Sequence, residues 1–254
     1  MNLKHVNSGG EQSIVRSDCP LQLDERYHLT DSAFTALKLW QVRGGEAITV
    51  VDNHGHWFRA RVVNIVDDAV EIIPFETIIA PESALRICVF QAIPAKERFE
   101  MIVQKLTEIG VADIVPFVCE HSITVAERDA VQKKSHRWPD VILRAAKQCR
   151  RGMLPHLYEP CSWNEVLNNL TAVEAKVILT EKGSQWSFVE GVGNTKVGSI
   201  AIIIGPEGGF SDVEIGAAQD CGALPVTLGS RILRTETAAI VAAALAQHIA
   251  GDYA

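Results

Sequence analysis

SIAIIIGPEGGFSDVEI, residues 199–215, decides the fold of this 254-residue chain. SIAIII is a nearly unbroken apolar run, the pattern of a strand buried on both faces of a parallel sheet. Gly205 and Pro206 then stop the strand. Ser211 and Glu214 carry the S-x-x-E spacing of a capping box, which starts a helix directly after the glycine loop. Open α/β sheets hold ligands at such a strand–loop–helix junction, because backbone N–H groups and a helix amino end converge there. The glycine pair alone also fits a plain tight turn. Neither Gly-Lys-Ser/Thr nor G-x-G-x-x-G is present, so the loop lacks the marks of a phosphate cradle. Glu207 within it would repel a polyphosphate and suits a ligand with a positive or neutral group.

The strand PVTLG (225–229) repeats the device. LGSRILRTETA (228–238) brings Arg231, Arg234 and Glu236 close together and opens an alanine-rich helix from Glu236 to Ala250, closed by Gly251. Two polar loops at strand ends imply a cleft and one small-molecule site. Towards the amino end, strands at KVILT (176–180), IVPFV (114–118) and LRICVFQAI (85–93) alternate with helices over about Glu97–Ile109 and Arg137–Arg150. In the first of these helices Phe99, Ile102, Val103, Leu106 and Ile109 keep the 3.6-residue period, and Gly110 stands where a helix would end. The class is α/β with a parallel sheet.

Before Pro81 the rhythm differs. AITVVD and WFRARVV flank the turn NHGH, VEIIPFE continues the alternation, and FTALKLW within Asp31–Val42 reads as a short helix. The domain boundary falls near residues 77–84, giving domains 1–78 and 79–254.

Composition excludes several classes. With 47% hydrophobic and 22% charged residues the chain has an ordinary globular core. No apolar run approaches a membrane span and the amino terminus lacks an apolar signal core, so no membrane association and a cytoplasmic location are expected. The six cysteines form no C-x-x-C pair, and His54 with His56 reads as a hairpin tip, so no metal is expected. A net charge of −7 does not suit a protein that coats nucleic acid. Within Lys133–Arg151, however, Lys133, Lys134, Arg137, Arg144, Lys147, Arg150 and Arg151 face only Asp140; this window reads as a solvated helix face or as an RNA track.

IIIGPEGGFSDVEI together with TLGSRILRTETAAIVAAALA closely resembles the paired signatures of the bacterial 16S rRNA uracil-N3 methyltransferase family, in the SPOUT class of knotted methyltransferases. KERFEMIVQKLTEIGVADIVPF (96–117) and RWPDVILRAAKQCRR (137–151) extend the match. The resemblance implies S-adenosylmethionine as cofactor, 16S rRNA or the small ribosomal subunit as partner, a homodimer, a deep carboxyl-terminal trefoil knot, and a small amino-terminal β-barrel resembling the PUA RNA-binding fold. Carried over by motif, the cofactor site comprises Leu179, Thr180, Ile204, Gly205, Pro206, Glu207, Gly208, Gly209, Leu228, Gly229, Arg231, Ile232, Leu233 and Arg234. This chain departs from its relatives in the central motif. It has Lys147 where an acid is common, Arg150 where a glycine is, and His121 where an arginine is usual. Residues 1–80 hold 7 Lys/Arg against 11 Asp/Glu, which is unfavourable for a phosphate-contacting surface.

Methylation at uracil N3 needs loss of an imide proton and in-line attack on a sulfonium methyl. Arg234 is expected to steady negative charge on the uracil oxygens, and Glu236 to orient Arg234 or relay the proton. A pairing of the two that merely caps the last helix is the alternative. Lys133, Lys134, Arg144, Gln148, Arg150 and Arg151 are the expected RNA contacts. N3 lies on the pairing edge, so the target base must be unpaired or turned out. Rival functions are a diverged SPOUT enzyme acting at another RNA position and a non-catalytic ribosome assembly factor; a nicotinamide enzyme lacks its glycine fingerprint.

Overall fold

The computed structural model describes residues 1, 3–95, 98–132, 134–181, 186–193 and 197–253. Contacts divide them into a smaller unit, residues 8–82 with 143–155, and a larger one, residues 1–7, 83–142 and 156–254.

The smaller unit contains β1 (Tyr27–Leu29), α1 (Asp31–Leu39), β2 (Ala47–Val51), β3 (Trp57–Val66) and β4 (Ala69–Ile78). The strands form one antiparallel sheet in the order β1-β4-β3-β2. Alternation puts Phe58, Ala60 and Val62 of β3 and Val70 and Ile72 of β4 on one face. There they bury with Ala33, Phe34, Ala36 and Leu37 of α1 and with Trp40. Ala146 and Leu154, from the distant second segment, belong to the same core. Each such large side chain, once fully buried, contributes roughly 1.5–3 kcal/mol.

The larger unit runs β5 (Arg86–Ala92), α2 (Phe99–Ile109), β6 (Asp113–Val118), α3 (Val125–Val131), α4 (Trp138–Gln148), β7 (His156–Leu157), β8 (Cys161–Ser162), α5 (Trp163–Leu170), β9 (Ala175–Leu179), β10 (Trp186–Ser187), α6 (Phe188–Val192), β11 (Ser199–Ile204), α7 (Asp212–Asp220), β12 (Leu224–Thr227) and α8 (Thr235–Ala250). Helix α4 straddles the division: its first five residues fall in the larger unit and its last six in the smaller. Eight parallel strands form the sheet, in the order β10-β12-β9-β11-β5-β6-β7, with β8 also paired to β6.

The apolar strand runs follow from burial on both faces. Ile200, Ile202 and Ile204 pack with α2, α6 and α8, whereas Ala201 and Ile203 pack with α5 and α7. The β11–β12 connection is unusual, since β12 pairs with β9 and β10 and not with β11. The chain therefore carries its two loops, one after β11 and one after β12, past the end of β9.

The division differs from a single cut after residue 78. The change of unit at 82/83 lies within the 77–84 window, but residues 1–7 join the larger unit and 143–155 the smaller. Among the described residues, no helix is long and apolar enough to cross a membrane.

Candidate functional site

The carboxyl ends of β9, β11 and β12 open on a cavity of about 530 Å³. Every residue expected on the cofactor side, from Leu179 to Arg234, lies on its wall. The volume is that of a site for a cofactor-sized molecule. Its lining carries Glu181, Glu207 and Asp212 as well as Arg231 and Arg234, so a ligand bearing both signs of charge finds partners. Thr180 adds a buried hydroxyl with no hydrogen-bond partner among the described residues, although its backbone N–H donates to Val226. A buried unsatisfied hydroxyl costs about 1–3 kcal/mol and points to an incoming partner.

Local chemistry shapes both loops. Gly229 has φ +109°, which a β-carbon would make strained, and the Thr227 hydroxyl bridges to its N–H and carbonyl at 3.3 and 2.9 Å. Gly208 is fixed differently: a β-carbon there would come within 2.9 Å of the His121 Cβ, while His121 Nδ1 lies 3.2 Å from the Gly209 carbonyl. His121 thus supports the glycine loop from behind. Phe210 is wedged against Phe117 and Trp163, with ring centroids 6.3 and 5.4 Å away. Ser211 and Glu214 form the expected reciprocal cap, and Glu214 also accepts the Glu120 N–H at 2.9 Å.

The two loops are joined through one hydroxyl. Thr235 Oγ1 donates to the Gly205 carbonyl at 2.7 Å and accepts from Gln91 Nε2 at 2.9 Å. Gln91 is fully buried in β5. A lone amide inside the apolar run LRICVFQAI is the signal that could have marked it from sequence. Glu207 meanwhile accepts the Ala95 N–H with both carboxylate oxygens at 3.2 Å, tying the glycine loop to the segment after β5.

The expected Arg234–Glu236 partnership is not formed. Arg234 is exposed on the cavity wall. Glu236, one residue inside α8, is buried and paired with Arg98, and it does not line the cavity. The helix direction is the cause. The cap residue still points outward, whereas the second residue of the helix turns towards the start of α2. Arg98 is the functional candidate that sequence reasoning missed.

The expected RNA contacts divide. Lys134, Arg144, Gln148 and Arg150 are exposed, and Lys133 lies outside the described residues. Arg151 is a correction: it is 4% exposed and its guanidinium pairs with Glu82 at 2.7 Å. Glu82 also accepts the N–H groups of Gly152 and Met153. A buried arginine needs such a carboxylate, so Arg151 is structural and unavailable to a phosphate.

Comparison with known proteins places this geometry. Residues 81–247 match the model of a family described as an RNA methyltransferase domain. The chain is 29% identical over 235 residues to the ribosomal RNA small subunit methyltransferase E of Buchnera aphidicola subsp. Acyrthosiphon pisum, covering 92% of both chains. Among solved structures it resembles a putative methyltransferase from Legionella pneumophila in complex with bound SAM, at 32% identity and TM-score 0.66 over 94% of this chain and 98% of that one. It also resembles a ribosomal RNA small subunit methyltransferase E from Neisseria gonorrhoeae bound to S-adenosyl methionine, at 29% identity and TM-score 0.67 over the same shares.

Proposed function

Because the chain belongs to the RNA methyltransferase family, we propose that it is an S-adenosylmethionine-dependent enzyme that methylates N3 of a uridine in 16S rRNA of the small ribosomal subunit. The observation that carries this reading is the single cavity walled by both signature loops. Its residues fit the cofactor: Arg231 or Arg234 suits the carboxylate, Glu181, Glu207 or Asp212 the ammonium group and ribose hydroxyls, and the buried Thr180 hydroxyl a further polar atom. Leu179, Ile204 and Leu228 supply an apolar wall for the adenine.

When bound, the cofactor supplies an electrophilic methyl group on a sulfonium sulfur. The protein's part is placement and charge. Thr235 and Gln91 hold the loops in register before substrate arrives, so little reorganisation remains for the reaction. Before transfer the uracil N3 proton passes to solvent, which leaves negative charge spread over N3 and the uracil oxygens. Arg234, exposed on the wall, steadies that charge. Glu236 is engaged by Arg98, so its role is to hold Arg98 at the start of α2.

The same reading takes the smaller unit, residues 8–82 with 143–155, as a PUA-like module and the larger unit as the methyltransferase module. It also takes the return of β12 past β9 as part of a trefoil knot, and the working form as a homodimer in the cytoplasm. Methyl transfer to small subunits from cells lacking this protein, with mass-spectrometric mapping of N3-methyluridine, tests the activity. Arg234→Ala should lower kcat by at least about tenfold. Absence of any transfer by the wild-type chain would leave the assembly-factor reading in its place.

A further inference from the structure

The smaller unit holds a second, much smaller cavity of about 20 Å³, lined by Thr49, Arg59, Lys147 and Arg150 together with Glu46, Arg151 and apolar neighbours. Four cations thus face one carboxylate. Two of the four are already neutralised, Lys147 by Glu46 at 2.8 Å and Arg151 by Glu82. Among the described residues, Arg150 has only a loose contact with Glu76 at 3.9 Å between two well-exposed side chains, an arrangement worth little in water. Arg59 is the unusual member. It is 7% exposed, yet its guanidinium donates to the Thr49 hydroxyl at 2.6 Å and the Ala47 carbonyl at 3.0 Å, and among the described residues no carboxylate pairs with it. Burial, reinforced by the nearby Arg150 charge, disfavours its guanidinium, and Glu76 compensates only in part. A buried cation beside another cation is costly unless an anion completes it.

We propose that this pocket is a phosphate site, in which Arg59 and Arg150 bind one backbone phosphate of the RNA substrate. The proposal rests on the reading that the chain acts on RNA, but not on methyl transfer. The volume admits about one oxygen atom, so a single non-bridging oxygen enters while the rest of the phosphate stays at the surface. The remaining N–H groups of the Arg59 fork suit that oxygen, and arginine is the residue of choice for such contacts. Arg144, exposed on α4 in the same unit, adds a further cation for the strand. This contact positions the RNA and reads no base.

Binding of a short single-stranded RNA, followed by fluorescence anisotropy across a salt series, tests the site. Arg59→Gln is expected to weaken binding about tenfold and to lower the log–log salt slope by about one. Because Arg59 is buried, Arg150→Gly is the second variant. It removes the other charge at a residue with φ +63°, so the fold is relieved of strain while affinity falls. S-adenosylmethionine titration should be unchanged in both. In the wild-type protein, the Arg59 Nε–Hε resonance should shift on adding RNA. Two folded variants that keep wild-type affinity and slope overturn the proposal. A resonance that responds to inorganic phosphate but not to RNA overturns the assignment to a nucleic-acid backbone. RNA binding through Arg59 by a chain that transfers no methyl group would refute the proposed activity and leave the pocket standing.

Discussion

Thr235 stands at the closest link between the two loops, and a single oxygen does the linking. Thr235→Val keeps the shape but leaves the Gly205 carbonyl and the buried Gln91 amide without that partner. Such a loss costs about 1–3 kcal/mol, so urea unfolding should shift accordingly, and isothermal titration should show roughly tenfold weaker S-adenosylmethionine binding. An unchanged affinity would mean the loops are held by other means. Cysteine reactivity offers a separate check. Burial pushes the Cys161 thiol up to about 12 and the Cys119 thiol up to about 11, in each case with help from a nearby glutamate, whereas Cys19 is exposed. Iodoacetamide at pH 8 should therefore label Cys19 well before Cys119 or Cys161, as followed by peptide mass spectrometry. Glycine and arginine positions at the cavity were readable because the loop signatures fix them in order. Arg98 was not, since its partner lies 138 positions away and no local pattern announces a pair across the fold. Arg151 was misread for a related reason: charge counting gives no direction, and Glu82 turns this guanidinium inward.

Elements were legible to the extent that they bury a face. Helix α2 shows its period because Phe99, Ile102, Val103 and Leu106 are fully buried. Helix α3 buries none of its residues, so it has no apolar period to read. Its start was nevertheless written in the chain: Thr124–Glu127, Ser162–Glu165 and Ser187–Glu190 form the same reciprocal cap as Ser211–Glu214. Strands β7, β8 and β10, at two residues each, are too short for alternation to show. The hairpin tip between β2 and β3 makes its own prediction. Burial opposes ionisation of Asp52, but the N–H groups of His56, His54 and Leu21 outweigh it and hold the carboxyl below its ordinary range. That stability is complete above the ordinary aspartate value of about 4 and is lost as pH falls through the lower folded value. Asp52→Ala should cost about 1–3 kcal/mol at neutral pH and narrow its deficit in acid, measured by denaturation at a series of pH values.

Across the molecule, a cofactor held only by the folded cavity must stabilise it. At 100 times its Kd, S-adenosylmethionine should add about 2.7 kcal/mol and raise Tm by roughly 5–10 °C; a melting point that ignores the cofactor would count against the proposed site. The α/β class was plain from the apolar strand runs, but the composition of the units was not, because no composition shift marks residues 143–155 as belonging with the amino-terminal sheet. That sheet needs Ala146 and Leu154 for its core, and the Leu154 N–H donates to Ser13 Oγ while its carbonyl accepts from Gly10. During synthesis the chain leaves the ribosome amino end first. Residues 8–82 thus emerge and wait, their apolar face incomplete, until the whole of β5 to α4 has followed. The smaller unit begins first and finishes late, so the nascent chain passes through a long interval in which a half-built sheet is exposed to chaperones and to neighbouring chains.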